Sequence, residues 1–484
     1  MPQKRKKNRP DNRPYQKRRG GSSFGTHTAK SRPSAFPSAK RSGTPEKGPT
    51  FKSGFSTSRS SGGSGFSDPY RDKPKKASEV LLTRRNLLIG AAGIGGVALV
   101  GGLGSVALDS LSPKTASIDY LSVPESAVTN IDAFTEVPYE DCVSLIGNFR
   151  MPYGTLVWAD NSTVAACLEP TDTASPLTTV SLLFLSTGNN PTVLDAAQGA
   201  EEGYEIYDVR CSADGMIWTE ANIFENTWRI YTARLDGAEV GGIVKVDEGD
   251  GNWLTPSIAA VDTSAFWQVV PTADGEYAKE AAVLKRSTFG SSDVSVAYTS
   301  KRAFATRVTP VDGGVVITPR ADSTSVYYQL TYLSSKDGSM IDQMTLPASM
   351  APREASYGET GFSFAFDSIY SYGGGIANLG TYTPFTKPAP YGYHDLSWFH
   401  FGRTPSAPPA WCGSWLAIKS SRALCGIDLA SRTYFLIDIP SATDTYGEYL
   451  VSSGTNDAIV GLCNITAVND GEEDHALVRV WSPN

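Results

Sequence analysis

Beyond position 111 the apolar residues fall into short runs of three to six, separated by turns rich in Asp, Gly and Ser, and hardly any stretch repeats at helical spacing. Such runs predict strands buried on both faces. Seven of them share one form, a small-residue or Asp/Gly turn followed by a short apolar strand. They are Gly154 to Trp158, Gly215 to Trp218, Ala265 to Trp267, Gly314 to Ile317, Gly361 to Phe364, Gly413 to Leu416 and Asp457 to Val460. Their last residues lie 60, 49, 50, 47, 52 and 44 positions apart. A period near 50 with about four strands per unit predicts an all-β fold, a single β-propeller. The count is seven blades, with six or eight as the alternatives.

One unit reads strand by strand. Ile206 to Arg210 leads into an Asp214-Gly215 turn, Met216 to Ala221 returns, Trp228 to Arg234 turns at Asp236-Gly237, and Gly242 to Val246 is the fourth strand. The alignment places Trp158, Trp218 and Trp267 at equivalent buried positions in consecutive blades. Blades cannot bury their own faces alone, so the ring must close. Residues 117–138 are expected to close it, as an outer strand on the last blade, whose strands end at Val478 to Trp481.

The first 110 residues follow a different pattern. Residues 1–86 carry 22 Lys/Arg against 5 Asp/Glu, while the remainder carries 21 against 45, a net charge of -24. Residues 1–82 mix basic clusters with Ser/Gly/Pro tracts and have almost no aliphatic residues, which predicts a disordered arm. Its charge suits anionic lipid or nucleic acid. The acidic bulk of 111–484 excludes nucleic acid as the main domain's ligand. Between the two, residues 83–110 contain 23 uncharged residues from Asn86 to Leu108, the length of a bilayer span. Gly93 to Ala98 fits a loose dinucleotide fingerprint, but no βαβ unit surrounds it, so no nucleotide cofactor is expected.

Thr83-Arg84-Arg85-Asn86-Leu87-Leu88-Ile89 resembles a twin-arginine export signal, with Ile89 where such signals often carry Lys. The resemblance implies that Thr83, Arg84, Arg85, Leu87 and Leu88 are read by a translocase for folded proteins, in a bacterial envelope. The simpler alternative is a membrane helix oriented by its flanking arginines. A retained span at 86–108 makes the protein single-pass in the cell membrane with the propeller outside. Cleavage after the small residues Ser105-Val106-Ala107 would make it secreted. Cys211-Ser212-Ala213-Asp214-Gly215-Met216-Ile217-Trp218 is similar to the turn and strand of WD40-like and TolB-like bacterial propellers, which implies a fold and not an activity.

Six cysteines all follow the apolar run, and in an exported domain they predict disulfides, with Cys412–Cys425 and Cys142–Cys167 the favoured pairs. With no C-x-x-C and only four histidines, no metal site and no cofactor are expected. Asp247-Glu248-Gly249-Asp250-Gly251-Asn252 has the composition of a calcium loop but reads as a hydrophilic turn. No catalytic set stands out. Between Tyr370 and Trp411, 10 of 42 residues are aromatic, so Tyr391, Tyr393, His394, Trp398 and His400 form a candidate ligand surface for sugar or peptide. Packing of those rings as a satellite core is the competing account. The expected function is an envelope-anchored extracytoplasmic propeller that binds a protein, peptide or glycan partner without catalysis. The alternative is a carbohydrate-active hydrolase or lyase. The central channel separates the two: converging Asp, Glu, Arg and His there favours an enzyme, and an apolar plug favours a scaffold.

Overall fold

The computed structural model describes residues 118–171, 177–323, 325–371, 377–387, 396–401, 407–467 and 471–484. The basic arm 1–82 and the signal or anchor segment 83–110 lie outside the described residues, as do Tyr391, Tyr393 and His394. Among the described residues no helix is long and apolar enough to cross a membrane. The described chain is almost wholly β, and its helical pieces are three-residue 3-10 turns.

The strands form seven hydrogen-bonded sheets, numbered here in chain order by the residues of their main strands: 156–194, 205–249, 258–300, 309–347, 350–401, 410–436 and 449–483. Second strands such as Gly215–Asn222 and Ser264–Val269 are buried along their whole length. Their side chains alternate between two neighbours. Met216 and Trp218 pack against sheet 1, while Ile217 packs against sheet 3. Seven apolar clusters join the sheets in pairs. Phe266 and Ile317 join sheets 3 and 4, and Phe364 sits where 4 meets 5. Phe399 and Ile418 join 5 and 6, and Phe435 and Trp481 join 6 and 7. Val478 and Leu183 then return sheet 7 to sheet 1, so the circle of a single β-propeller closes.

The turns after the first strands of sheets 1 and 2 each tie their sheet to the next. Asn161 Nδ2 donates to the Cys211 carbonyl at 3.1 Å, and Ser212 Oγ donates to the Asp262 carbonyl at 2.5 Å. Both bonds span 50 residues, the sequence period in physical form. Glycine at 215 is required by close approach. A Cβ there would lie 2.2 Å from the Phe289 ring of sheet 3. Gly215→Ala should therefore lower stability by about 1–3 kcal/mol, as overpacking does. A shift in urea midpoint would show it, and an unchanged midpoint would mean that the two sheets sit farther apart.

Two expectations are corrected. Trp218 and Trp267 are equivalent, on second strands and fully buried. Trp158 is not, because Leu156–Trp158 is the first strand of its sheet and the buried second strand is Val164–Pro170. Closure also differs. Val143–Pro152 is the outer strand of sheet 7, antiparallel to His475–Pro483. The residues before it run along the outer edges of earlier sheets. Thr135–Glu136 pairs with sheet 6, Val128–Asn130 pairs with sheet 5, and Leu121 N donates to Thr345 of sheet 4 at 2.7 Å. This belt covers open edges that would otherwise invite association.

Candidate functional site

The first strand of each sheet is innermost, and those of sheets 2 to 6 run side by side around the axis. Gly454–Asn456 adds one more, pairing in parallel with Ala410–Cys412, and Gly454 lies against Pro310 and Val311 of sheet 4. The space is so tight that a Cβ on Gly454 would stand 2.8 Å from the Val311 Cα. This inserted segment, Ser452 to Asn456, is polar, so the part of the channel that it occupies is filled by polar groups.

Charged groups converge there. Asp208 and Arg210 sit on the inner strand Glu205–Cys211, Asp160 follows Leu156–Trp158, Arg307 precedes Thr309–Val311, and Glu354 lies on Met350–Gly358. Two of these inner strands are bulged just before the acid they present. The register of Glu205–Cys211 slips between Ile206 and Asp208, and that of Met350–Gly358 slips between Pro352 and Glu354. A bulge re-aims the next side chain, which is a common device beside binding sites.

Arg210 Nε bonds Asp208 Oδ1 at 3.2 Å, and its Nη1 lies 3.5 Å from Asp160 Oδ2. Ser453 Oγ, from the inserted segment, donates to Asp160 Oδ1 at 2.5 Å. The Arg210 guanidinium also covers the Trp158 ring at 4.8 Å. Arg307 Nη2 bonds Asp208 Oδ2, and among the described residues its Nε and Nη1 make no hydrogen bond. The Arg307 side chain is 41% exposed, whereas that of Asp208 is 4% exposed.

Burial shifts Asp160 and Glu354 upward. Desolvation raises Asp160, opposed by Arg210 and Ser453. Burial works against the Arg210 charge, but Asp208 and Asp160 together raise its pKa. Desolvation pushes Glu354 up to about 8 against the pull of Arg307 and Arg353. Glu354 keeps partial solvent contact, yet the surrounding walls remove most of its hydration. At neutral pH the Glu354 carboxyl is thus protonated, in a cluster that also holds the Arg210 and Arg307 guanidiniums.

The surface expected from sequence is not assembled by the described residues. Trp398 is fully buried between sheets 4 and 5, so it offers no face to a ligand. His400 is partly exposed but engaged, with Nδ1 3.0 Å from Asn130 Oδ1 and its ring 4.7 Å from that of Tyr382. Burial lowers its pKa. The expected disulfides are also corrected, since all six cysteines are free. Cys412 faces the cluster between sheets 6 and 7 while Cys425 faces that between 5 and 6. Cys142 and Cys167 likewise belong to different clusters. Burial raises the thiols, Cys412 to about 12 and Cys463 to about 11, so they behave as small core residues. Asp247 lies in the outer strand of sheet 2 and is bonded by Trp267 and Lys285. No group of His, Cys, Asp and Glu able to hold a metal occurs among the described residues.

No family model matches the chain, and no curated protein matches it. Solved structures do. An oligogalacturonate lyase from Vibrio parahaemolyticus matches over 72% of this chain and 95% of its own, at 9% identity and a TM-score of 0.39. The β-propeller domain of the Trilobed protease from Pyrococcus furiosus matches over 70% and 95%, at 11% identity and a TM-score of 0.39. An acylaminoacyl peptidase from Pyrococcus horikoshii matches over 72% and 52%, at 10% identity and a TM-score of 0.40.

Proposed function

We propose that the protein is an extracytoplasmic, membrane-anchored propeller that binds a carboxylate-bearing glycan or peptide in its central channel. The observation that carries this reading is the Arg307 guanidinium, which bonds Asp208 through Nη2 alone, keeps 41% of its side chain exposed and acts electrostatically on a protonated Glu354. A planar fork of this kind matches a carboxylate. Charge supports the placement: 22 basic residues lie before Leu87, and the uncharged run 86–108 separates them from the acidic domain. A second reading has one observation in its favour. A carboxyl protonated near neutral pH is what a general acid requires, so Glu354 suits a hydrolase or lyase of acidic glycans. Asp160 and Asp208 are each held by Arg210, and neither stands free as a nucleophile.

Thermal shift and calorimetry should separate these readings. The probes are glucuronate oligosaccharides and peptides with a free C-terminal carboxylate, each against its neutral analogue. The carboxylates should bind and the neutral analogues should not. Arg307→Ala should weaken binding about 10- to 100-fold, as loss of a charge-assisted bidentate contact does. Turnover of a bound glycan, abolished in Glu354→Gln, would replace the binding reading with the enzymatic one. Equal binding of carboxylate and neutral probes would overturn both.

A further inference from the structure

Away from the channel, sheets 2 and 3 part at their outer edges around a cleft of about 290 Å3. Its walls come from Trp228, Trp253, Val269 and Val283, and its charged groups are Asp247, Glu248, Glu280 and Lys285. The aromatic wall is fixed, because Trp253 stacks on Tyr277 with ring centroids 5.4 Å apart. The polar side is fixed too. Asp247 Oδ2 accepts from Trp267 Nε1 at 2.6 Å and from Lys285 Nζ at 2.8 Å.

Unspent hydrogen-bonding capacity remains. Lys285 uses one of three donors and keeps about a quarter of its side chain exposed. Trp228 is 2% exposed, yet its indole N–H meets no acceptor. The Glu280 carboxylate lies at the rim among the exposed residues.

We propose that this cleft binds a neutral saccharide ring. A pyranose presents a flat C–H face that stacks on indole and a rim of hydroxyls that both donate and accept. Trp253 supplies the stacking face, Lys285 the donors, and Glu280 an acceptor. With Asp247 paired to Lys285 and Glu248 to Lys245, Glu280 is the excess charge, which disfavours an anion and suits an uncharged ring. The volume admits one ring and part of a second. This site is independent of the channel reading.

Saturation-transfer NMR tests it, using methyl glycosides of glucose, galactose, mannose and N-acetylglucosamine on the propeller-containing chain. At least one should show saturable transfer, with Kd in the millimolar range usual for a single ring. Trp253→Ala should weaken it about tenfold or more. Lys285→Met should do the same, with circular dichroism checking that each variant is folded. No saturable transfer from any of the four overturns the proposal, as does binding that survives Trp253→Ala. Binding lost in Arg307→Ala but kept in Trp253→Ala places the sugar in the channel and overturns the cleft site.

Discussion

Trp218→Ala and Trp267→Ala should each lower the free energy of unfolding by about 3–5 kcal/mol, the range for a large aromatic in a packed core. Both rings are fully buried between neighbouring sheets. Trp218 packs between sheets 1 and 2, stacked on Tyr231 at 5.5 Å, and its N–H donates to Glu220 at 3.0 Å. Trp267 packs between sheets 2 and 3 and donates to Asp247. Truncating either leaves a cavity and a buried carboxylate short of one donor. Trp158→Ala should cost less, under about 2 kcal/mol, because that ring is only partly buried. Since the sheets close on themselves, each variant should unfold in one transition, at a lower urea midpoint by both fluorescence and circular dichroism. Two separable transitions, or equal losses at all three tryptophans, would contradict this packing.

Glu354→Gln should change stability in a pH-dependent way. The folded carboxyl has its pKa raised to about 8 from an ordinary 4.5. Between those values the folded protein holds a proton that the unfolded chain releases. Stability linked to this group is therefore full below about pH 4.5 and is lost as pH rises through 8. The amide removes the titration. Relative to wild type, the variant should gain on the order of 3 kcal/mol between pH 5 and pH 9, discounting for partial solvent contact. Paired urea denaturation at the two pH values reads this difference. A ΔΔG that is the same at both would mean that Glu354 ionises normally.

What was legible in the chain follows from where each strand is buried. Second strands such as Gly215–Asn222 are covered on both faces, so they appear as unbroken apolar runs and carry the period. Gly154 to Trp158 imitates them, with a turn glycine and a terminal Trp, yet it is an inner strand, which is why the first spacing is 60. Inner strands were harder to recognise. Glu205–Cys211 and Met350–Gly358 carry the channel charges, and their bulges break the alternation that would have shown Asp208 and Glu354 facing inward. The one available signal was Asp208 and Arg210 interrupting an otherwise apolar strand. Nothing local connects them to Arg307, 99 residues from Asp208, because only closure of the ring brings the two together. The belt was half legible. Its two- and three-residue edge strands have no period, and only the ten residues of Val143–Pro152 are long enough to show one. The cysteines misled because small core residues and disulfide partners have the same composition. Trp398 misled because an aromatic-rich segment looks alike whether its rings face a ligand or the neighbouring sheet.

The account rests on a channel whose walls strip water from Glu354 while arginines stand beside it. Titration of the 13C-labelled Glu354 carboxyl by NMR, assigned by its loss in Glu354→Gln, tests this most directly. The expected midpoint is about 8, with the carboxyl protonated at neutral pH. A midpoint near the ordinary 4.5 would mean an open, solvated channel with carboxylates in balance with its arginines, and would contradict the account.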